Sequence, residues 1–87
     1  MEYVAGLLTR ERLRRLLDVE GIDPRVYNLD GAHGDEAYVL AIRPGGWAVF
    51  YAERGEEVGR RNFDSEDEAC HYLLRLLVRD PTTRRRR

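Results

Sequence analysis

The chain contains no lysine: all fifteen of its basic residues are arginine. Codon usage in a GC-rich genome produces such a bias. Its physical consequence is that every long cation is a planar guanidinium, which pairs and stacks where an ammonium would act as a point charge. Cysteine is nearly absent, and the single Cys70 excludes an internal disulfide framework. One Cys and two His without spaced pairs exclude a zinc site built from those residues. No apolar run approaches the roughly 18 residues of a membrane span. Glu2 stands where a signal peptide would carry bases. The expectation is a cytoplasmic protein with no membrane partner. A Gly-rich phosphate loop is also missing, since Pro44-Gly45-Gly46 sits inside a hairpin and not between a strand and a helix. No cofactor is expected.

What is present fits one small domain. Eighty-seven residues, 43% apolar and 36% charged, describe a globular chain, one that buries only about 60% of its unfolded surface. The formal net charge is -1, but four of the fifteen arginines are Arg84 to Arg87. Without them the body carries eleven bases against sixteen acids, or -5. A domain that binds by neutralising phosphates needs a basic face, so nucleic acid is a poor candidate partner.

Thr9 is placed to cap a helix running to about Glu20, with Leu13, Leu16 and Leu17 as its apolar stripe and Gly21 as its stop. Val26 to Leu29 reads as a short strand. Glu36 to Arg43 reads as another, with Tyr38, Leu40 and Ile42 on one face and Ala37, Val39 and Ala41 on the other. Pro44-Gly45-Gly46 turns the chain into a strand over Trp47 to Glu53. A polar turn, Glu53 to Glu57, leads to an edge-like strand from Val58 to about Phe63. Ser65 with Glu68 forms a capping box. Ala69, Tyr72, Leu73, Leu76 and Leu77 then mark a second helix, which Asp80-Pro81 stops. Beside that stripe run Cys70, Leu74 and Val78. So wide an apolar arc either sinks between two layers or lends one side to a partner. The fold class is therefore α+β: a two-layer sandwich of helix, antiparallel meander of three or four strands, and helix. Residues 1–80 form the domain, and 81–87 are expected to be a disordered arginine-rich tail.

Enzyme constellations fare badly. Cys70 and His71 are neighbours on a helix and point about 100° apart, which is poor geometry for a nucleophile and its base. His33 reads as a solvated loop residue. The adjacent acids Asp35-Glu36 and Glu56-Glu57 point to opposite faces of a strand. Helix, three strands and helix is also the order of double-stranded-RNA-binding domains. Those domains offer bases at the start of the second helix, where this chain has Asp64-Ser65-Glu66-Asp67-Glu68. An RNA-binding module of that kind is thus the weakest of the readings kept open.

A protein-binding surface remains. Glu53, Glu56, Glu57, Asp64, Glu66 and Asp67 are expected to gather at one end of the meander and steer a basic partner; the alternative is that they are a helix cap and a solvated turn. Tyr38, Trp47 and Tyr51 are aromatic anchors of the hot-spot type or, alternatively, core residues. Arg54 is expected either to pin the second helix through Glu66 or Asp67 or to contact the partner with Glu53. Cys70, Leu74 and Val78 offer a homodimer seam for a structural or adaptor domain.

Several segments resemble a group of short bacterial proteins. They are Gly21-Ile22, Tyr27-Asn28-Leu29-Asp30-Gly31, Glu36-Ala37-Tyr38-Val39-Leu40, Trp47 through Gly55, and Phe63-Asp64-Ser65-Glu66-Asp67-Glu68-Ala69-Cys70. The group is similar to the small immunity proteins of polymorphic and contact-dependent toxin systems, and the likeness covers about residues 9–78. It implies stoichiometric inhibition: the protein would bind a cognate toxin domain, often a nuclease or an NAD-consuming enzyme, and block its active site or assembly. No catalytic residues would then be expected.

Overall fold

The structure, a computed structural model, describes residues 7–31 and 35–85. The first helix, α1, spans Arg10–Val19. Thr9 caps it, its hydroxyl accepting from the Arg12 amide at 3.2 Å. At the other end the Gly21 amide donates to the Asp18 carbonyl and the Ile22 amide to the Leu17 carbonyl. This paired closure folds Ile22 back onto the buried Leu13 and Leu17. The chain then takes a short 3-10 turn at Pro24–Val26 and enters the sheet.

Four strands follow in the spatial order of the sequence: β1 (Tyr27–Asn28), β2 (Ala37–Arg43), β3 (Gly46–Glu53) and β4 (Glu56–Phe63). β2, β3 and β4 are the expected antiparallel meander. β1 departs from it and pairs with β2 in parallel, Tyr27 beside Tyr38 and Asn28 beside Val39. A connection running from Leu29 to Glu36 is long enough to return the chain to the same end before β2 starts, which a tight hairpin turn cannot do. β4 is also longer than its apolar residues suggest, because Glu56 and Glu57 pair with Glu53 and Ala52. The turn between β3 and β4 therefore shrinks to Arg54-Gly55, both at positive φ (53° and 79°), as a type I′ hairpin requires.

The second helix, α2, spans Glu66–Arg79, and the Ser65 hydroxyl accepts from the Glu68 amide at 3.1 Å. It lies on the sheet beside α1, and both helices cover the same face. Leu13 and Leu17 from α1, Leu40 and Val49 from the sheet, and Ala69, Cys70, Leu73, Leu74 and Leu77 from α2 share one buried core. The wide apolar arc of α2 is explained by its packing against both the sheet and α1. Cys70 and Leu74 are buried in the chain's own core, at 0% and 2% exposure, and Val78 is partly buried against it. The three residues therefore do not form a dimer seam. On the opposite face of the sheet, Val39, Ala41, Ala48, Phe50 and Ala52 make a second, smaller cluster.

The expectation of a disordered tail fails for residues 81–85. Asp80 caps a 3-10 turn at Pro81–Thr83, its carboxylate accepting from the Thr82 amide at 2.9 Å. Thr83 is buried, with its hydroxyl 2.6 Å from the Leu77 carbonyl and 2.7 Å from the Asp80 carbonyl, so it serves the open end of α2. Its own carbonyl accepts from the Asp23 amide, and the Arg85 amide donates to the Gly21 carbonyl. Arg84 reaches the Glu20 carbonyl and carboxylate, and Arg85 the Asp18 carboxylate at 2.6 Å. The last turn of α1 has no base of its own, and these two arginines supply the positive charge its C-terminus favours. Arg86 and Arg87 lie outside the described residues.

Candidate binding surface

The acids expected to form one patch occupy two ends of the sheet. Antiparallel strands reverse direction at each turn, so the β3–β4 turn and the β4–α2 connection must lie at opposite ends. Glu57 pairs with Ala52 and Phe63 with Trp47, and six strand residues separate these pairs by about 20 Å. Tyr51, Glu53, Arg54 and Glu56 are at the hairpin end; Asp64, Glu66 and Asp67 are at the other.

At the α2 end Glu66 and Asp67 are structural. Asp67 accepts from the Leu8 amide at 2.6 Å and Glu66 from the Arg10 amide at 2.8 Å. The first turn of α2 thus satisfies backbone donors at and just before the start of α1. The Arg10 guanidinium completes this clamp, with Nε 3.4 Å from Glu66, a hydrogen bond to the Leu29 carbonyl, and its carbon 5.3 Å from the Trp47 ring centre. The pin assigned to Arg54 is therefore made by Arg10. Arg54 sits at the exposed hairpin tip with no ion pair among the described residues. Nothing in the composition separates Arg10 from the other arginines; only its place beside the Thr9 cap marked it.

Asp67 also lies 3.1 Å from His71 Nδ1. Cys70, beside it, is inward and dry: burial, with a lesser push from the Glu66 charge, raises its thiol to about 12. It is held as a thiol at neutral pH. His33 lies outside the described residues. Among the described residues no three His, Cys, Asp or Glu side chains form a group able to hold a metal, and no helix is long and apolar enough to cross a membrane.

Glu57 belongs to the far face of the sheet. It pairs with Arg43 at 2.5 Å and with Arg60 at 3.6 Å, while the Arg43 guanidinium carbon lies 5.3 Å from the Phe50 ring centre. It is neutralised there and does not join the hairpin-end acids.

The hairpin end is different. Glu53 and Glu56 face one another across the ladder, and the Glu36 amide donates to the Ala52 carbonyl at 2.6 Å, which brings Asp35 and Glu36 to the same end. These four carboxylates are exposed and have no ion pair among the described residues. They border a half-buried aromatic pair, Tyr38 and Tyr51, whose rings meet edge to face at 5.0 Å. The Tyr38 hydroxyl donates to Asp80 at 3.1 Å, where α2 ends. Burial raises both tyrosine hydroxyls above their ordinary value. The nearby Glu36, Glu53 and Asp80 charges add to this for Tyr51, and the bond to Asp80 adds for Tyr38. Val58, the cross-strand neighbour of Tyr51, is 48% exposed beside them. Asp35 and Glu36 were missed as members of this surface because they precede a strand; the pairing of Ala37 with Ala52 is what places them.

Two residues at this end hold a left-handed backbone without being glycine: Glu36 (φ 59°) and Arg54 (φ 53°). Such positions cost roughly 1–2 kcal/mol each, and strain of this kind concentrates at functional sites. Compared with protein-family models, curated proteins and solved structures, the chain matches none.

Proposed function

We infer that this protein is a non-enzymatic, cytoplasmic binding protein of the immunity type. It docks a basic toxin domain against its hairpin end and neutralises it by occlusion. The observation that carries this reading is the group of four carboxylates at the Tyr51 end of the sheet, Asp35, Glu36, Glu53 and Glu56, with no ion pair among the described residues. Elsewhere Asp18, Glu20, Asp23, Asp30, Glu57 and Glu66 have arginine partners, while Glu11, Asp64, Glu68 and Asp80 have no ion pair among the described residues. Exposed like charges repel one another weakly in water, and a cationic partner relieves that repulsion. The tyrosine pair supplies a rigid apolar centre, and the carboxylates a polar rim that steers and orients. Asp64, Glu57, Glu66 and Asp67 leave the proposed surface, and Asp35, Glu36 and Tyr38 join Tyr51, Glu53, Arg54 and Glu56 on it.

The direct test is titration calorimetry against the toxin domain encoded beside this chain's gene. The expected result is one-to-one binding that inhibits the toxin, weakens as salt rises, and is lost in the Glu53→Lys/Glu56→Lys variant. Absence of such a neighbour, or undiminished binding by the variant, overturns the reading.

A further inference from the structure

The outer edge of β4 has no partner strand among the described residues, and its sequence is complementary to itself. β4 ends the sheet order, and Glu56, Val58, Gly59, Arg60, Arg61 and Asn62 on it are exposed. The opposite edge strand, β1, has two residues, so β4 is the long free edge. An edge of unpaired amides and carbonyls is a template for another strand, and side chains on it select which strand is accepted.

Read in both directions, Glu56-Glu57-Val58-Gly59-Arg60-Arg61 places acids opposite bases. If two β4 strands run antiparallel about a two-fold axis between Val58 and Gly59, Glu56 of one copy faces Arg61 of the other, and Glu57 faces Arg60. The facing of the side chains agrees. Glu56, Val58 and Arg61 are cross-strand neighbours of Glu53, Tyr51 and Val49, so they point to the helix side. Glu57, opposite Ala52, points to the far side. The register shift between Val49 and Tyr51 leaves Gly59 and Arg60 together opposite Phe50, which returns Arg60 to the far side with Glu57, where the two lie 3.6 Å apart in one chain. Each acid thus meets a base on its own face. A bulge commonly protects an edge. Here Gly59 (φ 66°) holds it at the symmetry centre with nothing within 4 Å of where a Cβ would stand, so the exposed Val58 side chains flank the axis and the charged pairs lie on either side.

We propose that β4 is a self-recognition edge: two copies of this chain pair their β4 strands antiparallel, in the register Glu56–Arg61 and Glu57–Arg60, to form one eight-stranded sheet. This goes beyond the toxin-binding reading and shares only Glu56 with it, so a second copy on β4 and a toxin at the hairpin end compete for that carboxylate. A strand from another protein would lack the reciprocal register, which is why a second copy is the occupant the charges favour.

Sedimentation equilibrium over the micromolar range, with helix content checked by circular dichroism, tests it. The wild type should show a monomer–dimer equilibrium. Glu56→Arg and Arg61→Glu should each remain folded and weaken the dimer at least roughly tenfold, since each replaces two attractive pairs with two repulsive ones. The Glu56→Arg/Arg61→Glu double variant should recover it, because the swapped charges again face each other. In the wild type, amide exchange in β4 should slow as concentration rises. A wild type that stays monomeric throughout, a dimer that either single variant leaves intact, a folded double variant that does not recover, or a dimer with unchanged β4 exchange would each overturn the proposal.

Discussion

The two ends of the sheet carry similar chemistry and use it in opposite ways. At the α2 end, acids, an arginine and a tryptophan interlock. Asp67 and Glu66 hold the backbone that starts α1, and Arg10 lies between Glu66 and Trp47. At the hairpin end, acids and aromatics are also close, yet Asp35, Glu36, Glu53 and Glu56 have no cation paired with them among the described residues. The first end spends its charges on satisfying backbone donors that would otherwise be lost on folding. The second end keeps its charges for solvent or a partner. Acid count does not distinguish them: Glu66 and Asp67 accept from backbone amides, and among the described residues none of the four hairpin-end carboxylates does.

The largest effect should come from dismantling the clamp. The Glu66→Ala/Asp67→Ala variant should lose about 2–3 kcal/mol, because charge-assisted bonds to backbone amides are among the stronger ones; for a chain of this size that lowers the Tm by roughly 10–20 °C. Thr83→Val should cost about 1–2 kcal/mol by leaving the Leu77 and Asp80 carbonyls without their buried hydroxyl. Urea unfolding reads it, and a neutral result would mean the C-terminal segment is not part of the cooperative unit. Relieving the hairpin tip should act in the other direction. Arg54→Asn should stabilise by about 0.5–1 kcal/mol, since Asn adopts the left-handed backbone of the first turn position more readily. A destabilised Asn variant would assign Arg54 a contact that the tip does not show.

The smallest effect is a pH dependence that also separates the ends. Tyr38, Tyr51 and Cys70 have raised values in the folded chain. A raised value means the folded state holds the proton more tightly than the unfolded one. The stability these groups contribute is complete below their unfolded values, about 10 for tyrosine and 8.5 for cysteine, and declines as pH rises through the folded ones. Denaturant midpoints should therefore fall above about pH 9. Tyr51→Phe should flatten part of that fall, and Glu53→Gln should do so more weakly. Thiol labelling gives the matching check, with Cys70 unreactive at pH 8 until the chain unfolds.

Much of this was legible in the residues. The Ser65–Glu68 capping box and the apolar spacing from Ala69 to Leu77 located α2, and Thr9 and Gly21 bounded α1. The alternation in β2 and β3 sorted Leu40 and Val49 from Val39 and Phe50, and so told one sheet face from the other. The parallel pairing of β1 was not legible, since two residues carry no periodicity and the direction of a strand depends on the connection that follows it. The grouping of the acids went wrong for a reason the sequence did contain. Three strands that alternate in direction cannot bring both the 53–57 turn and the 64–67 segment to one end. The ordered stretch at 81–85 had a signal too. Asp80-Pro81-Thr82-Thr83 holds a capping carboxylate, a proline at the first turn position and two hydroxyls, a pattern that closes a helix end as readily as it opens a tail.

The central claim is that the α2 end holds the fold and the hairpin end holds the partner. It is tested most directly by measuring Tm and affinity for the cognate toxin domain on the same two variants, Glu53→Lys/Glu56→Lys and Glu66→Ala/Asp67→Ala. The first should melt within a few degrees of the parent and lose binding. The second should melt roughly 10–20 °C lower and, below its melting point, bind as the parent does. A first variant that unfolds, or a second that stays stable but no longer binds, would contradict it.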